Sequence, residues 1–130
     1  MKVGETIPEW SLPLTPTTIV STAIATRDWQ DVHHDRDVAQ AAGSKDIFMN
    51  ILTTNGLVEK YVVDWAGPDT ELKGIAIRLG APAHPYDTLT FSGTVDSVED
   101  GIATISVVGR VSLGDHVTGT VRMVAPGVAP

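Results

Sequence analysis

Apolar and β-branched residues dominate four segments in the second half of the chain, either alternating with polar residues or running together. The segments lie at 72–79, 88–98, 102–113 and 116–124. Residues that favour turns separate them, and Asp100 followed by Gly101 between the second and third segments is a strong hairpin signal. The pattern therefore predicts four antiparallel strands.

The segment 46–66 has a different period, with apolar residues three and four positions apart, as on the buried face of a helix. These residues are Ile47, Ile51, Leu52, Leu57, Val58, Tyr61, Val62 and Trp65. Gly67 and Pro68 end this predicted long helix. A shorter helix is predicted over 35–43, where Asp35 is expected to cap the free N–H groups of the first turn.

The first quarter of the chain is expected to be extended. Residues 1–16 hold three prolines among apolar residues, which favours an arm lying over the surface rather than a helix. The β-branched run 17–25 predicts one more strand. All elements together predict one α+β domain over 1–130, in which a five-stranded antiparallel sheet packs against a single long helix.

Composition excludes several classes of function. The chain has 16 acidic and 9 basic residues, a net charge of -7 and no cluster of Lys and Arg, which argues against nucleic acid as a partner. Cysteine is absent, so no disulfide, thiolate nucleophile or cysteine metal site is expected. The apolar runs are too short for a membrane span, and with no leader recognisable in the sequence we expect a cytoplasmic protein.

The most reactive stretch is 27–35, which holds three aspartates and two histidines between predicted elements, where functional side chains are often carried. Asp28 and His33 are five residues apart on a turning loop and could converge on one water molecule. No metal site is expected, because neighbours such as His34 and Asp35 seldom bind the same ion. A charged loop is by default a solvated surface, so both interpretations stay open at this point.

The segment DWQDVH at 28–33 resembles the motif of the MaoC-like enoyl-CoA hydratases, in which Asp, an aromatic residue, Asn, Pro, an aliphatic residue and His follow one another. Four positions match, while Gln30 and Asp31 replace the Asn and Pro. The segment 47–52 lies where that family carries a His-Gly pair at the start of the long helix, and 79–89 is similar to its proline-then-Gly-Asp-Thr turn. The resemblance implies the hot-dog fold, in which the sheet wraps the long helix.

The resemblance also implies roles for individual residues. Asp28 and His33 would jointly activate a water molecule for addition to a 2-enoyl-CoA thioester, whose CoA is part of the substrate, so that no cofactor is implied. The backbone N–H of Asn50 would face the thioester carbonyl, with Gln30 and Met49 as further substrate-binding residues. The extra carboxylate of the loop, at position 31, would raise the pKa of Asp28 if it faced inward.

More narrowly, the segments 20–28, 33–37 and 43–48 resemble the small MaoC-like subunit of actinobacterial steroid side-chain enoyl-CoA hydratases. This implies a lyase of cholesterol catabolism that pairs with a larger MaoC-like subunit, as an αβ pair doubled into a tetramer. Two alternatives remain: a hot-dog acyl-CoA thioesterase, or a non-catalytic subunit that completes the acyl-CoA pocket of another chain.

Several other aromatic and ionisable side chains have simpler expected places. Trp29, Phe48 and Trp65 are expected to pack in the core, as most large aromatic residues do. Asp115 and His116 follow a turn signal and are expected at the surface.

Overall fold

A computed structural model describes residues 1–127. The elements are β1 (Thr6–Pro13), α1 (Pro16–Ala25), α2 (Arg36–Ala41), α3 (Ile51–Ala66), β2 (Leu72–Leu79), β3 (Thr88–Glu99), β4 (Ile102–Val111) and β5 (Gly114–Val124). The strands form one antiparallel sheet in the order β1-β3-β4-β5-β2. The predicted α+β class, with a five-stranded sheet and one long helix, is confirmed. No helix within the described residues is long and apolar enough to cross a membrane.

The hairpin between β3 and β4 is the one that the sequence predicts. Asp100 and Gly101 have φ angles of 51° and 76°, the left-handed pair that a type I′ turn requires. The strands that follow α3 begin and end within two residues of their predicted bounds. The hairpin sequence therefore fixes the register of the central strands.

The strand predicted over 17–25 is wrong, because this stretch forms the helix α1. Thr15 caps the helix by accepting a hydrogen bond from the Thr18 N–H at 3.0 Å, and Pro16 follows in the first helical turn. Two residues four positions apart are buried: Ile19 and Ala23. The cap and this helical spacing outweigh the β propensity of the β-branched side chains.

The remaining strand, β1, lies within the stretch predicted as an extended arm. It pairs with β3 at one edge of the sheet. The Tyr61 hydroxyl of α3 donates to the Pro8 carbonyl at 3.1 Å, and Trp10 stacks on Phe91 with ring centroids 5.6 Å apart. The predicted number of strands is therefore right, but the first strand is earlier in the chain than predicted.

Helix α3 packs its buried face on the sheet. The buried residues of this face are Thr53, Thr54, Val58, Tyr61 and Val62. The helix begins at Ile51, later than the predicted 46, because Asn50 is its N-cap and accepts the Thr53 N–H at 3.0 Å. Residues 46–50 form an irregular link instead, which places the positive end of the helix dipole beside the loop that carries Asp28.

A pair of glycine substitutions tests how closely the chain packs where β2 ends. We expect Gly80→Ala to lower the free energy of unfolding by about 1–3 kcal/mol, since an added Cβ would lie 2.4 Å from the Asp115 carbonyl oxygen. Gly56→Ala is the matched control, because a Cβ there meets no atom within 4 Å and alanine favours a helix by about 0.5–1 kcal/mol. Urea unfolding compares the two, and equal effects would contradict the prediction.

Candidate active site

The C-terminal end of α1 fixes the position of Asp28. Arg27 adopts a left-handed conformation with a φ of 57°, and its N–H donates to the Ile24 carbonyl at 2.9 Å. The Asp28 N–H donates to the Ala23 carbonyl, also at 2.9 Å. This pair of hydrogen bonds is a Schellman motif, which ends the helix and reverses the chain. Asp28 is therefore held by its own backbone at a defined turn rather than on a mobile loop.

The Asp28 carboxylate accepts hydrogen bonds from two donors. The Gln30 N–H donates to Oδ1 and the Asn50 Nδ2 donates to Oδ2, both at 3.2 Å. The Nε2 atom of His33 lies 3.3 Å from the same Oδ2. Burial alone would raise the pKa of Asp28, but the two hydrogen bonds and the charge of His33 together lower it below its ordinary value. Asp28 is therefore a charged carboxylate at neutral pH.

The neighbouring charged residues have other roles. Asp31 is exposed and pairs with His34 at 3.4 Å, so it does not face inward, and the pKa of Asp28 is lowered rather than raised. Asp35 caps α2 by accepting the N–H groups of the second and third residues of that helix, as predicted. Of the five aspartates and histidines in the stretch 27–35, Asp28 and His33 are the two that face the cleft described below.

His33 ends a short 3₁₀ helix (Asp31–His33) and is only 6% exposed. Its Nδ1 lies 2.7 Å from the Phe48 carbonyl oxygen, which can only accept, so Nδ1 carries a proton. In the neutral ring, Nε2 is therefore the unprotonated nitrogen, and it is the one that faces Asp28. The Phe48 ring meets the imidazole edge-on with centroids 5.0 Å apart, which restricts its rotation. The arrangement leaves one defined nitrogen to accept or donate a proton.

The side chain of Asn50 joins the loop to α3 and is 1% exposed. Its Oδ1 accepts from both the N–H and the hydroxyl of Thr53, and its Nδ2 donates to Thr26 Oγ1 at 2.8 Å as well as to Asp28. The backbone N–H of Asn50, by contrast, has no acceptor among the described residues. Any contact of Asn50 with a ligand would therefore use its backbone.

A cleft of about 430 Å³ lies beside the Asp28 and His33 side chains. Its lining comes from the loop 28–33, the link and helix start at 48–51, the segment 79–82 and His116 of β5. Met49 and Ile51 line it on either side of Asn50. The Met49 N–H already donates to the Ala83 carbonyl at 3.0 Å, so Met49 presents its side chain. The structure thus brings the candidates Asp28, His33, Gln30 and Met49 to one cleft, with Asn50 directly behind it.

His116, expected at the surface, is a buried residue of this cleft with 2% exposure. Its Nδ1 lies 2.7 Å from the Ala81 carbonyl oxygen and its Nε2 lies 2.8 Å from Thr54 Oγ1. Desolvation by burial lowers its pKa and outweighs the hydrogen bond to Ala81, which alone would raise it. The neighbouring Asp115 is exposed, as predicted. No local pattern marks His116 as buried, because the residues that cover it are distant in sequence.

The three aromatic residues expected in the core differ in their environments. Trp29 is 65% exposed, so this expectation is wrong. Trp65 is partly buried against the core, and Phe48 is partly buried where it lines the cleft. Trp29 points outward because the chain after α1 is a short turn, and the residues that face inward from it are Asp28 and His33.

Within residues 1–127, no group of three or more His, Cys, Asp or Glu side chains is arranged to hold a metal ion.

The lowered pKa of Asp28 predicts how its contribution to stability changes with pH. A carboxyl group whose pKa is lower in the folded chain stabilises the fold above the unfolded pKa, and this stabilisation is lost as the pH falls through the folded value. We expect the difference in free energy of unfolding between wild type and Asp28→Asn to shrink as the pH falls below about 4. Urea titrations at a series of pH values measure it, and a difference that is constant with pH would contradict the prediction.

The family described as "MaoC like domain" matches residues 2–117. The chain belongs to this family. The prediction made from the motif at 28–33 is therefore confirmed. A relative, "3-oxo-4,17-pregnadiene-20-carboxyl-CoA hydratase beta subunit" of Mycobacterium tuberculosis (strain ATCC 25618 / H37Rv), is 63% identical over 121 residues, which cover 93% of this chain and 94% of the relative.

Solved structures also superpose on nearly the whole chain. One is the crystal structure of the ChsH1-ChsH2 complex from Mycobacterium tuberculosis, with a TM-score of 0.93 and 62% identity over 95% of this chain and 97% of that chain. Another is the (R)-hydratase from A. caviae involved in PHA biosynthesis, with a TM-score of 0.87 and 18% identity over 97% of this chain and 98% of that chain. The second likeness supports the hot-dog fold alone.

Proposed function

We propose that this MaoC-like chain adds water across the double bond of a 2-enoyl-CoA thioester and forms a 3-hydroxyacyl-CoA. The observation that carries the proposal is the pair Asp28 Oδ2 and His33 Nε2, 3.3 Å apart beside a cleft at the start of α3. A carboxylate and an imidazole at this distance can share one water molecule. The name of the Mycobacterium tuberculosis relative, a CoA-thioester hydratase subunit, supports the same reaction.

The proposed reaction uses Asp28 and His33 jointly. One proton of the water passes to the pair while its oxygen bonds to the β-carbon, and the electron pair of the double bond moves toward the α-carbon and the thioester oxygen. A proton from the pair then bonds to the α-carbon. Water is added with no net gain or loss of electrons, so no cofactor is needed beyond the CoA of the substrate.

The negative charge that develops on the thioester oxygen must be stabilised by a hydrogen-bond donor. The backbone N–H of Asn50 lies at the positive end of the α3 dipole and has no acceptor among the described residues. Met49 adds a buried apolar wall beside it, and Gln30 is exposed at the mouth of the cleft. We assign the oxyanion contact to Asn50 and substrate contacts to Gln30 and Met49.

We further propose a steroid side-chain CoA as the substrate and a larger MaoC-like chain as the partner. The relative is named as the beta subunit of a pregnadiene-carboxyl-CoA hydratase, and the similar crystal structure is that of a complex. Two large apolar side chains that line the cleft, Ile51 and Leu79, are also exposed, and so is Trp29, which lies in sequence between the lining residues Asp28 and Gln30. A second chain over this rim would cover them and enclose the acyl group. The partners would form an αβ pair doubled into a tetramer, and the cytoplasmic location stays a prediction.

The two alternatives have less support. Hot-dog thioesterases usually carry an acid on or beside the long helix, but the two acids of α3, Glu59 and Asp64, are exposed and do not line the cleft. A subunit that only completes the pocket of another chain would not need a charged carboxylate held beside a histidine. The Asp28 and His33 arrangement therefore favours a catalytic chain.

The decisive experiment compares the chain alone with the chain co-expressed with a larger MaoC-like subunit. We expect the complex to convert a steroid side-chain enoyl-CoA to its hydroxyacyl-CoA. The loss of enoyl absorbance monitors the reaction, and mass spectrometry identifies the product. Release of free CoA without a hydroxyacyl product would select the thioesterase instead. Light scattering gives the assembly, and a stable, fully active homodimer would overturn the proposed heteromer.

A further inference from the structure

His116 connects the two walls of the cleft. One wall is the segment 79–82, whose Ala81 carbonyl lies 2.7 Å from the His116 Nδ1. The other is the first turn of α3, where Thr54 Oγ1 lies 2.8 Å from the His116 Nε2. One imidazole ring therefore spans the distance between the walls.

The direction of these hydrogen bonds follows from the chemistry of the partners. The Ala81 carbonyl can only accept, so the His116 Nδ1 donates to it. In the neutral ring, Nε2 then accepts from the Thr54 hydroxyl. The Thr54 N–H donates to the Asn50 carbonyl at 3.2 Å. His116 thus links the 79–82 wall to the helical turn that Asn50 begins.

Backbone hydrogen bonds also hold the 79–82 wall in place at both ends. The Gly80 N–H donates to the His116 carbonyl and the Ala81 N–H to the Asp115 carbonyl, both at 2.8 Å. At the other end, the Ala83 carbonyl accepts from the Met49 N–H at 3.0 Å. Between these ties, the Ala81 carbonyl is oriented by the His116 side chain. Ala81 itself lines the cleft.

We propose that His116 is a positioning residue of the hydratase, which holds the 79–82 wall at the spacing from the start of α3 that admits the CoA thioester. The inference rests on the proposed function, since it assigns a purpose to the same cleft. The simpler interpretation is a buried histidine that contributes to stability alone. If His116 only stabilises the fold, loss of either hydrogen bond should have a similar effect on activity. If it positions the wall, loss of the bond to Ala81 should lower activity more than loss of the bond to Thr54.

A matched pair of variants separates these interpretations. In His116→Asn, the side-chain Nδ2 stands where the imidazole Nδ1 stood, so it keeps the bond to Ala81 and loses the one to Thr54. In His116→Gln, the side-chain Oε1 can accept from the Thr54 hydroxyl, but the donor to Ala81 is lost. Each variant loses one hydrogen bond, so comparable losses of stability are expected from the pair.

Activity should differ between the two. In the co-expressed complex, we expect His116→Asn to keep kcat/KM within about threefold of wild type and His116→Gln to lose about tenfold or more, because a displaced wall misplaces the thioester. The pattern should hold at a temperature where circular dichroism shows both variants folded. Equal activity of the two variants, or losses that follow their melting temperatures alone, would overturn the positioning role.

Failure of the proposed function gives a different result. If wild type forms no hydroxyacyl-CoA from any enoyl-CoA, the hydratase proposal fails, and the positioning role is then judged by binding of a saturated acyl-CoA measured by calorimetry. Weaker binding to His116→Gln than to His116→Asn would still support it. Equal binding, or none to wild type, would overturn it.

Discussion

Replacing Asp28 with asparagine is expected to lower the hydratase kcat/KM of the complex by about 10²–10⁴-fold. The amide cannot take a proton from water, whereas the carboxylate beside His33 is charged at neutral pH. The asparagine oxygen can still accept the Gln30 N–H, so the turn should be kept. Steady-state kinetics on a steroid side-chain enoyl-CoA measure the loss.

Three further variants test whether this loss is specific to the pair of Asp28 and His33. Asp31→Asn removes a carboxylate three residues away that is exposed and paired with His34, so activity should stay at the wild-type level. His33→Asn should lose about as much as Asp28→Asn, and the double variant little more, because residues that act as one unit are strongly non-additive. Full activity of Asp28→Asn would exclude the proposed pair.

The second large effect is expected at Asn50, where one side chain both caps α3 and donates to Asp28. Asn50→Asp keeps an acceptor for the Thr53 N–H but replaces the donor with a second carboxylate beside Asp28. Two carboxylates this close raise the pKa of one of them. We expect a folded protein whose activity at neutral pH falls by about tenfold or more, with the acid limb of its pH–rate profile moved to higher pH.

Asn50→Ala is the companion variant for this experiment. It removes the cap and leaves buried partners unsatisfied, so the free energy of unfolding should fall by about 1–3 kcal/mol. Asn50→Asp should be clearly more stable than Asn50→Ala and should recover part of its activity at alkaline pH. An unchanged pH–rate profile in Asn50→Asp would show that the contact with Asp28 does not tune the carboxylate.

The site was more predictable from the sequence than the elements that surround it. Asp28 and His33 lie within six residues of each other, so a local motif is sufficient to identify them. Asn50 was assigned by register with the family, since the helix was predicted to begin at 46 and not after Asn50. The helix α1 was missed because its β-branched side chains favour a strand, whereas its cap and its packing through Ile19 and Ala23 favour a helix. The cap at Thr15 with Pro16 after it is a local signal in the sequence, whereas the burial of Ile19 and Ala23 depends on the folded chain.

His116 shows the limit of sequence reasoning most clearly. Its hydrogen-bond partners are 35 and 62 residues away in the chain, and the residue beside it is exposed. Nothing within a short window distinguishes it from a turn histidine. Its burial depends on the segment after β2 crossing close to β5, which only the sheet order brings about.

The Schellman turn after α1 also bears on how such chains can diverge. Asp28 and His33 lie outside the sheet, on a short stretch attached by hydrogen bonds to the ends of α1 and α3. A duplicated gene could therefore lose the acid and the imidazole while its product kept the same sheet, helix and cleft. The fold thus allows one descendant to keep the chemistry while the other evolves as a scaffold that shapes the substrate tunnel.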